Sequence, residues 1–154
     1  MLPEQQSLIE WQLTKLNYAS AYFMDNGKFE KLIALFTPDA LFDRAGTVHH
    51  GHDEIRQGMR ERPAITTRHL LANIVYLNVT EDYAEAVTSA ITFHGAAAER
   101  DEPVPYATTN GRVLDFHDTY TRVNGEWKIS SRVARAVFTP EDWPGSIHRA
   151  IQTS

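Results

Sequence analysis

Cysteine is absent from the 154 residues, which excludes a disulfide framework, a thiolate nucleophile and any thiolate metal site. Runs of Lys or Arg are missing as well. The 15 basic residues are scattered among 20 acidic ones for a net charge of −5, a pattern that cannot track a phosphate backbone, so no nucleic-acid partner is expected. No stretch approaches the roughly 20 apolar residues of a membrane span. The first 30 residues also lack the basic segment and apolar run of a secretory leader. The expectation is a soluble, cytoplasmic protein with no membrane partner. Gly-rich phosphate loops, Walker motifs and nucleophile elbows do not occur either. Any chemistry must rest on oxygen and nitrogen side chains.

What is present suits one globular domain over residues 1–154, with a core spanning about 5–138 and a tail at 139–154, because 42% of the residues are hydrophobic. Leu8, Ile9, Trp11, Leu13, Leu16, Tyr18, Ala21, Tyr22 and Phe23 recur at helical spacing. They predict a first helix over Pro3 to Met24, stopped by Asp25-Asn26-Gly27. A second helix is expected over Phe29 to Phe36 and a third over His52 to Glu61, with short strands at Ala40 to Asp43 and Thr47 to His50 between them. The period then changes to two. A strand opens at His69 and runs through Leu77, another covers Tyr83 to His94, and a final pair, Val113 to Val123 and Glu126 to Phe138, flanks the hairpin turn Asn124-Gly125. Residues 95–107, with their Gly, Ala and Pro, read as an exposed connection and candidate flap, and a short helix is expected near Ser146 to Ile151. Helices first and long antiparallel strands after give an α+β fold: a strongly curved antiparallel sheet packed against N-terminal helices around one apolar pocket.

Several residues are candidates for chemistry in that pocket. Asp25 closes the first helix, where the macrodipole disfavours a negative charge. Counting back by three and four places Tyr22 and Tyr18 on its stripe, so a carboxylate and two phenols could share a cavity; the same tripeptide is also a plain polar helix stop. His69 opens a strand and shares its parity with Leu71, Asn73 and Val75, and with a carboxylate beside it an imidazole becomes a general base. Spacing alone does not pair it with Asp25. His94 ends the face that carries Ala86, Thr88, Ala90 and Thr92, small residues that either leave room for a ligand or relieve crowding under the first helix. Arg132 and Arg135 on the last strand could bind an anionic or leaving group, or be paired surface charges. His49, His50 and His52 lack acidic or thiolate partners at ligand spacing, so no metal is expected.

Three features then coincide in order: Asp25 to Glu30 at the end of the first helix, Thr67-Arg68-His69 opening a strand, and the hairpin from Tyr120 to Lys128 around Asn124-Gly125. Their order resembles the SnoaL-like branch of the nuclear-transport-factor-two-like superfamily, which includes scytalone dehydratase, ketosteroid isomerase and hexachlorocyclohexane dehydrochlorinase. The resemblance implies a cone-shaped domain and a cofactor-free elimination in which an Asp–His pair is the base, matched here by Asp25 and His69, with His94 similar to a second pocket histidine. Where the dehydratase carries flanking tyrosines this chain has Met24 and Arg44. Where it carries polar residues on the fourth long strand this chain has Leu114 and Phe116, which points away from scytalone itself as substrate. The resemblance also implies a small hydrophobic or cyclic organic ligand and a homodimer or homotrimer. A lyase of dehydratase or dehydrohalogenase type is the leading expectation. An isomerase like ketosteroid isomerase and a noncatalytic ligand-binding domain are the alternatives.

Overall fold

The computed structural model describes residues 1–97, 102–105 and 111–140. Helix α1 spans Pro3–Asp25, with Pro3 at its first position, where a missing N–H costs nothing, and Gly27 at φ +64 just past its C-cap Asn26. Its inner face is Ile9, Leu13, Leu16, Asn17 and Ser20. Helix α2 spans Phe29–Ile33 and α3 spans Gly51–Arg60. The strands are β1 (Phe36–Asp43), β2 (Val48–His50), β3 (Ile65–Val79), β4 (Tyr83–Ala96), β5 (Arg112–Val123) and β6 (Glu126–Phe138). They form one curved, open sheet in the order β2-β1-β6-β5-β4-β3.

The α+β architecture agrees with the sequence reading, and the four long strands are antiparallel to one another. Strand β1 departs from that pattern by lying parallel to β6. It also begins earlier than helical periodicity suggests. Thr37 precedes Pro38, whose ring pushes the preceding residue into extended conformation. The Leu35 carbonyl is taken by the Ile129 N–H at 2.8 Å, so the segment after α2 is captured by the sheet. The connection after β4 is described only in part; there Gly95 leaves no room for a Cβ, which would stand 2.6 Å from Val104 Cγ1. The helix expected near residues 146–151, and Trp143, lie outside the described residues. Within them, no helix is long and apolar enough to cross a membrane.

One core cluster unites Leu13, Leu16, Leu32, Ile33, Phe36, Ile55, Tyr120 and Ile129; a smaller one holds Ala90, Leu114, Phe116 and Ala134. A buried polar network ties α1 to the last two strands. Arg132 donates from Nε to Asp118 Oδ1 (2.8 Å), from Nη2 to Asp118 Oδ2 (2.6 Å) and Asn17 Oδ1 (2.5 Å), and from Nη1 to Ser20 Oγ (2.8 Å). Asn17 donates to the Tyr120 hydroxyl, which donates on to Asp118 at 2.8 Å. The network satisfies a charge pair that would be costly to bury alone.

Candidate active site

Register brings the site residues together on the inner face of the sheet. In the antiparallel ladder Thr67 faces His94, His69 faces Thr92, and Thr92 faces Arg112; one row on, Leu71 faces Ala90 and Ala90 faces Leu114. Residues directly opposite in a sheet point to the same side, so these rows form one wall. The alternation along β3 is interrupted by irregularities between Leu71 and Ile74 and between Tyr76 and Asn78. Inward positions therefore run Thr67, His69, Leu71, then Ile74 and Tyr76. Val75, expected on the face of His69, is turned out and 55% exposed. An extra residue in one strand shifts every side chain beyond it to the opposite face.

The wall closes against α1 and the segment around Arg44 to leave a cavity of about 160 Å³. Met24, Arg44, Arg62, Thr67, His69, His94, Arg112, Leu114, Phe116 and Arg132 all line it. Along β4 the small side chains divide: Thr92 lines the cavity, whereas Ala84, Ala86 and Ala90 are packed in the core clusters. Asp25 does not line the cavity. It sits behind His69, its side chain 2% exposed against 16% for the imidazole.

Asp25 is the last residue of α1, and its carboxylate turns from the helix axis towards β3. Oδ1 accepts from His69 Nδ1 at 2.6 Å and from the Thr67 hydroxyl at 2.9 Å, while Oδ2 accepts the backbone N–H of His69 at 2.8 Å. Thr67 in turn accepts from Arg62 Nη2 at 3.1 Å. Burial pushes the Asp25 pKa up, but the His69 and Thr67 hydrogen bonds and the imidazole charge outweigh it, and the carboxyl is held below its ordinary value. These donors also offset the unfavourable helix dipole. With Asp25 ionised, Nδ1 must carry the proton, which leaves the lone pair of a neutral His69 on Nε2. His94 is held neutral to about pH 4, chiefly by burial and then by the nearby positive charges of His69, Arg112 and Arg62.

Two expected pocket residues are elsewhere. Tyr18 and Tyr22 are 50% and 51% exposed on the outside of α1, and the Tyr22 ring stacks under Lys28 instead. Asp25 is one residue, about 100° of helix, round from the inward Met24, so a row counted back from it climbs the solvent side. Asp25 reaches the site only because it ends the helix. Arg132 lines the cavity, but its charge is committed to Asp118, and its guanidinium lies 4.9 Å from the Phe116 ring centroid. Two histidines of the 49–52 stretch serve local structure: His52 Nε2 is 2.9 Å from the Phe36 carbonyl, and the His49 ring fills the space that a Cβ on Gly58 would occupy, while His50 is exposed. Arg62 and Arg112 were not singled out in the sequence. Arg112 shares the parity of Leu114 and Phe116, one residue before the expected strand start, and that signal would have found it; Arg62 follows a helix and precedes Pro63 without any such pattern.

Residues 5–133 match a family described as the SnoaL-like domain. Among curated proteins none matches the chain. Solved structures with the same fold include a scytalone dehydratase-like protein from Novosphingobium aromaticivorans, 19% identical, with a TM-score of 0.73 over 94% of this chain and 100% of that one. The hexachlorocyclohexane dehydrochlorinase LinA type 2 is 13% identical, with a TM-score of 0.71 over 89% of this chain and 90% of that one. ActVI-ORFA from Streptomyces coelicolor is 16% identical, with a TM-score of 0.69 over 84% of this chain and 98% of that one.

Proposed function

The chain belongs to the SnoaL-like family, and we propose that it is a cofactor-independent lyase acting on a small molecule, with His69 as general base and Asp25 as the group that orients it. The observation that carries this reading is the three-donor seat of Asp25, two of whose donors belong to His69 itself. That seat fixes both the tautomer and the ring position. Nε2 of His69 removes a proton from a carbon next to an activating carbonyl; the C–H pair becomes the new double bond, and the β-substituent leaves with its bonding electrons. In a dehydration the imidazolium returns its proton to the departing oxygen, releasing water. In a dehydrohalogenation the halide leaves and the proton passes to solvent. Asp25 stabilises the imidazolium throughout. His94, neutral at working pH, supplies an N–H to the carbonyl or leaving oxygen. Leu114, Phe116 and Ala134 give the apolar surface that desolvates the reacting centre.

General-base catalysis contributes roughly 10²- to 10⁴-fold, so loss of the base should cost about that much. The test is turnover of 3-hydroxycyclohexanone and 3-chlorocyclohexanone and of their ring-carboxylated analogues, followed by the absorbance of the enone. Wild type is expected to release water or chloride, and Asp25→Asn and His69→Ala to lose nearly all of that rate with the fold intact by circular dichroism. Turnover retained in either variant sinks the base assignment. Solvent deuterium entering the substrate without loss of water or halide would instead mark an isomerase.

A further inference from the structure

The described cavity is lined by Arg44, Arg62, Arg112 and Arg132, and no carboxylate lines it. Two carboxylates stand behind the wall. Asp118 is paired with Arg132, and Asp25 is occupied by His69 and Thr67. Among the described residues no carboxylate oxygen comes within the 4.0 Å of an ion pair to Arg44 or Arg62. Among the described residues Arg62 makes one side-chain hydrogen bond, to Thr67, and lies 5.9 Å from the Phe29 ring centroid, and the Arg44 guanidinium makes no hydrogen bond. The planar donors of an arginine fork at a cavity match a carboxylate edge on, and neither Arg44 nor Arg62 has a direct carboxylate partner among the described residues.

We propose that the molecule this pocket takes is an anion: a small carboxylate, one ring or a short chain, seated by Arg44 and Arg62 with its reacting carbon presented to His69. The last part rests on the lyase reading above; the anion preference does not. Size suits a single ring, because about 160 Å³ is the scale of a cavity that admits benzene. Burial, and then the charge of Arg62, lower the Arg44 pKa; burial lowers that of Arg62 as well, against the opposing pull of the Asp25 charge behind Thr67. Asp25 does not oppose such a ligand: its carboxylate is sealed, satisfied by three donors, and screened from the cavity by Thr67 and the Arg62 that donates to it.

The test is binding of benzoate and of its neutral isostere benzamide to the full chain at fixed ionic strength, by calorimetry or chemical-shift titration. Wild type should bind benzoate at least about tenfold more tightly than benzamide. Arg44→Gln and Arg62→Gln should each bring the two ligands within about threefold of one another. Binding is read without turnover, so failure of the catalytic reading and failure of this one are told apart. Equal binding of the two ligands by wild type, or binding of neither, overturns the proposal without recourse to any variant. Inorganic phosphate that displaces benzoate at comparable concentration would overturn the carboxylate class in favour of a simple anion site.

Discussion

Oδ1 of Asp25 lies 2.6 Å from Nδ1 of His69, while Oδ2 of the same carboxylate accepts the His69 backbone N–H at 2.8 Å. One acidic residue at the end of a helix thus grips both the side chain and the main chain of one strand residue. The imidazole cannot rotate or change tautomer without giving up a bond, so it is held ready to accept a proton on Nε2.

Because the two residues work as a unit, their removal should be non-additive. Asp25→Asn and His69→Ala should each lower kcat/KM by roughly 10²- to 10⁴-fold, and the double variant should fall little further. Steady-state kinetics on 3-hydroxycyclohexanone check this; losses that multiply would mean that the two act independently.

His94 makes the fold acid-sensitive. An unfolded chain protonates this histidine near pH 6.5, whereas the folded protein resists until about 4. Between those values the unfolded state binds the extra proton, so stability falls as pH drops from about 6.5 to 4. Asp25 acts in the same direction at lower pH: its carboxyl is lowered in the fold, so its contribution is present above the ordinary carboxylate value and lost as pH falls through the folded one. Urea denaturation at stepped pH should show His94→Gln with a flatter profile between about 6.5 and 4, by about 2 kcal/mol once partial exposure is allowed for. Identical profiles would contradict the neutral assignment.

Arg132 and Asp118 are a structural pair. Arg132→Met leaves a buried carboxylate without its cation and should cost about 3 to 5 kcal/mol, while Arg132→Met combined with Asp118→Leu should recover part of that loss. Equilibrium unfolding decides it. A single variant that loses less than about 1 kcal/mol would show that the pair is not buried as described.

Tyr18→Phe and Tyr22→Phe remove hydroxyls from the solvent side of α1. Stability should stay within about 0.5 kcal/mol of wild type and kcat/KM within about twofold. A large loss of activity in either would return these rings to the pocket.

Much of the framework was legible in the sequence because it is written in periods. The long spacing pattern of α1, the Asn124-Gly125 turn and the small-residue row on β4 each state their structure locally. Irregularities in β3 do not: nothing in the run from Leu71 to Asn78 says where the pleat slips, and a single parity carried through it placed Val75 on the wrong face. The helix row counted back from Asp25 failed for a related reason, since a residue at a helix end can reach past the face its spacing assigns. The Asp25–His69 contact joins residues 44 positions apart, and only the resemblance, not spacing, could pair them. Arg112 shared the parity of Leu114 and Phe116 and could have been placed by it, whereas Arg62, between a helix and Pro63, carried no pattern, and only the fold brings it to the cavity.

The most direct test is the protonation pattern of the His69 ring, read from long-range proton–nitrogen correlations of labelled protein at a pH where the ring is neutral. The account predicts a proton on Nδ1 and a bare Nε2 in wild type, with that preference lost in Asp25→Asn. A wild-type ring protonated on Nε2, or a tautomer unchanged by the substitution, would contradict the claim that Asp25 prepares His69 as the base.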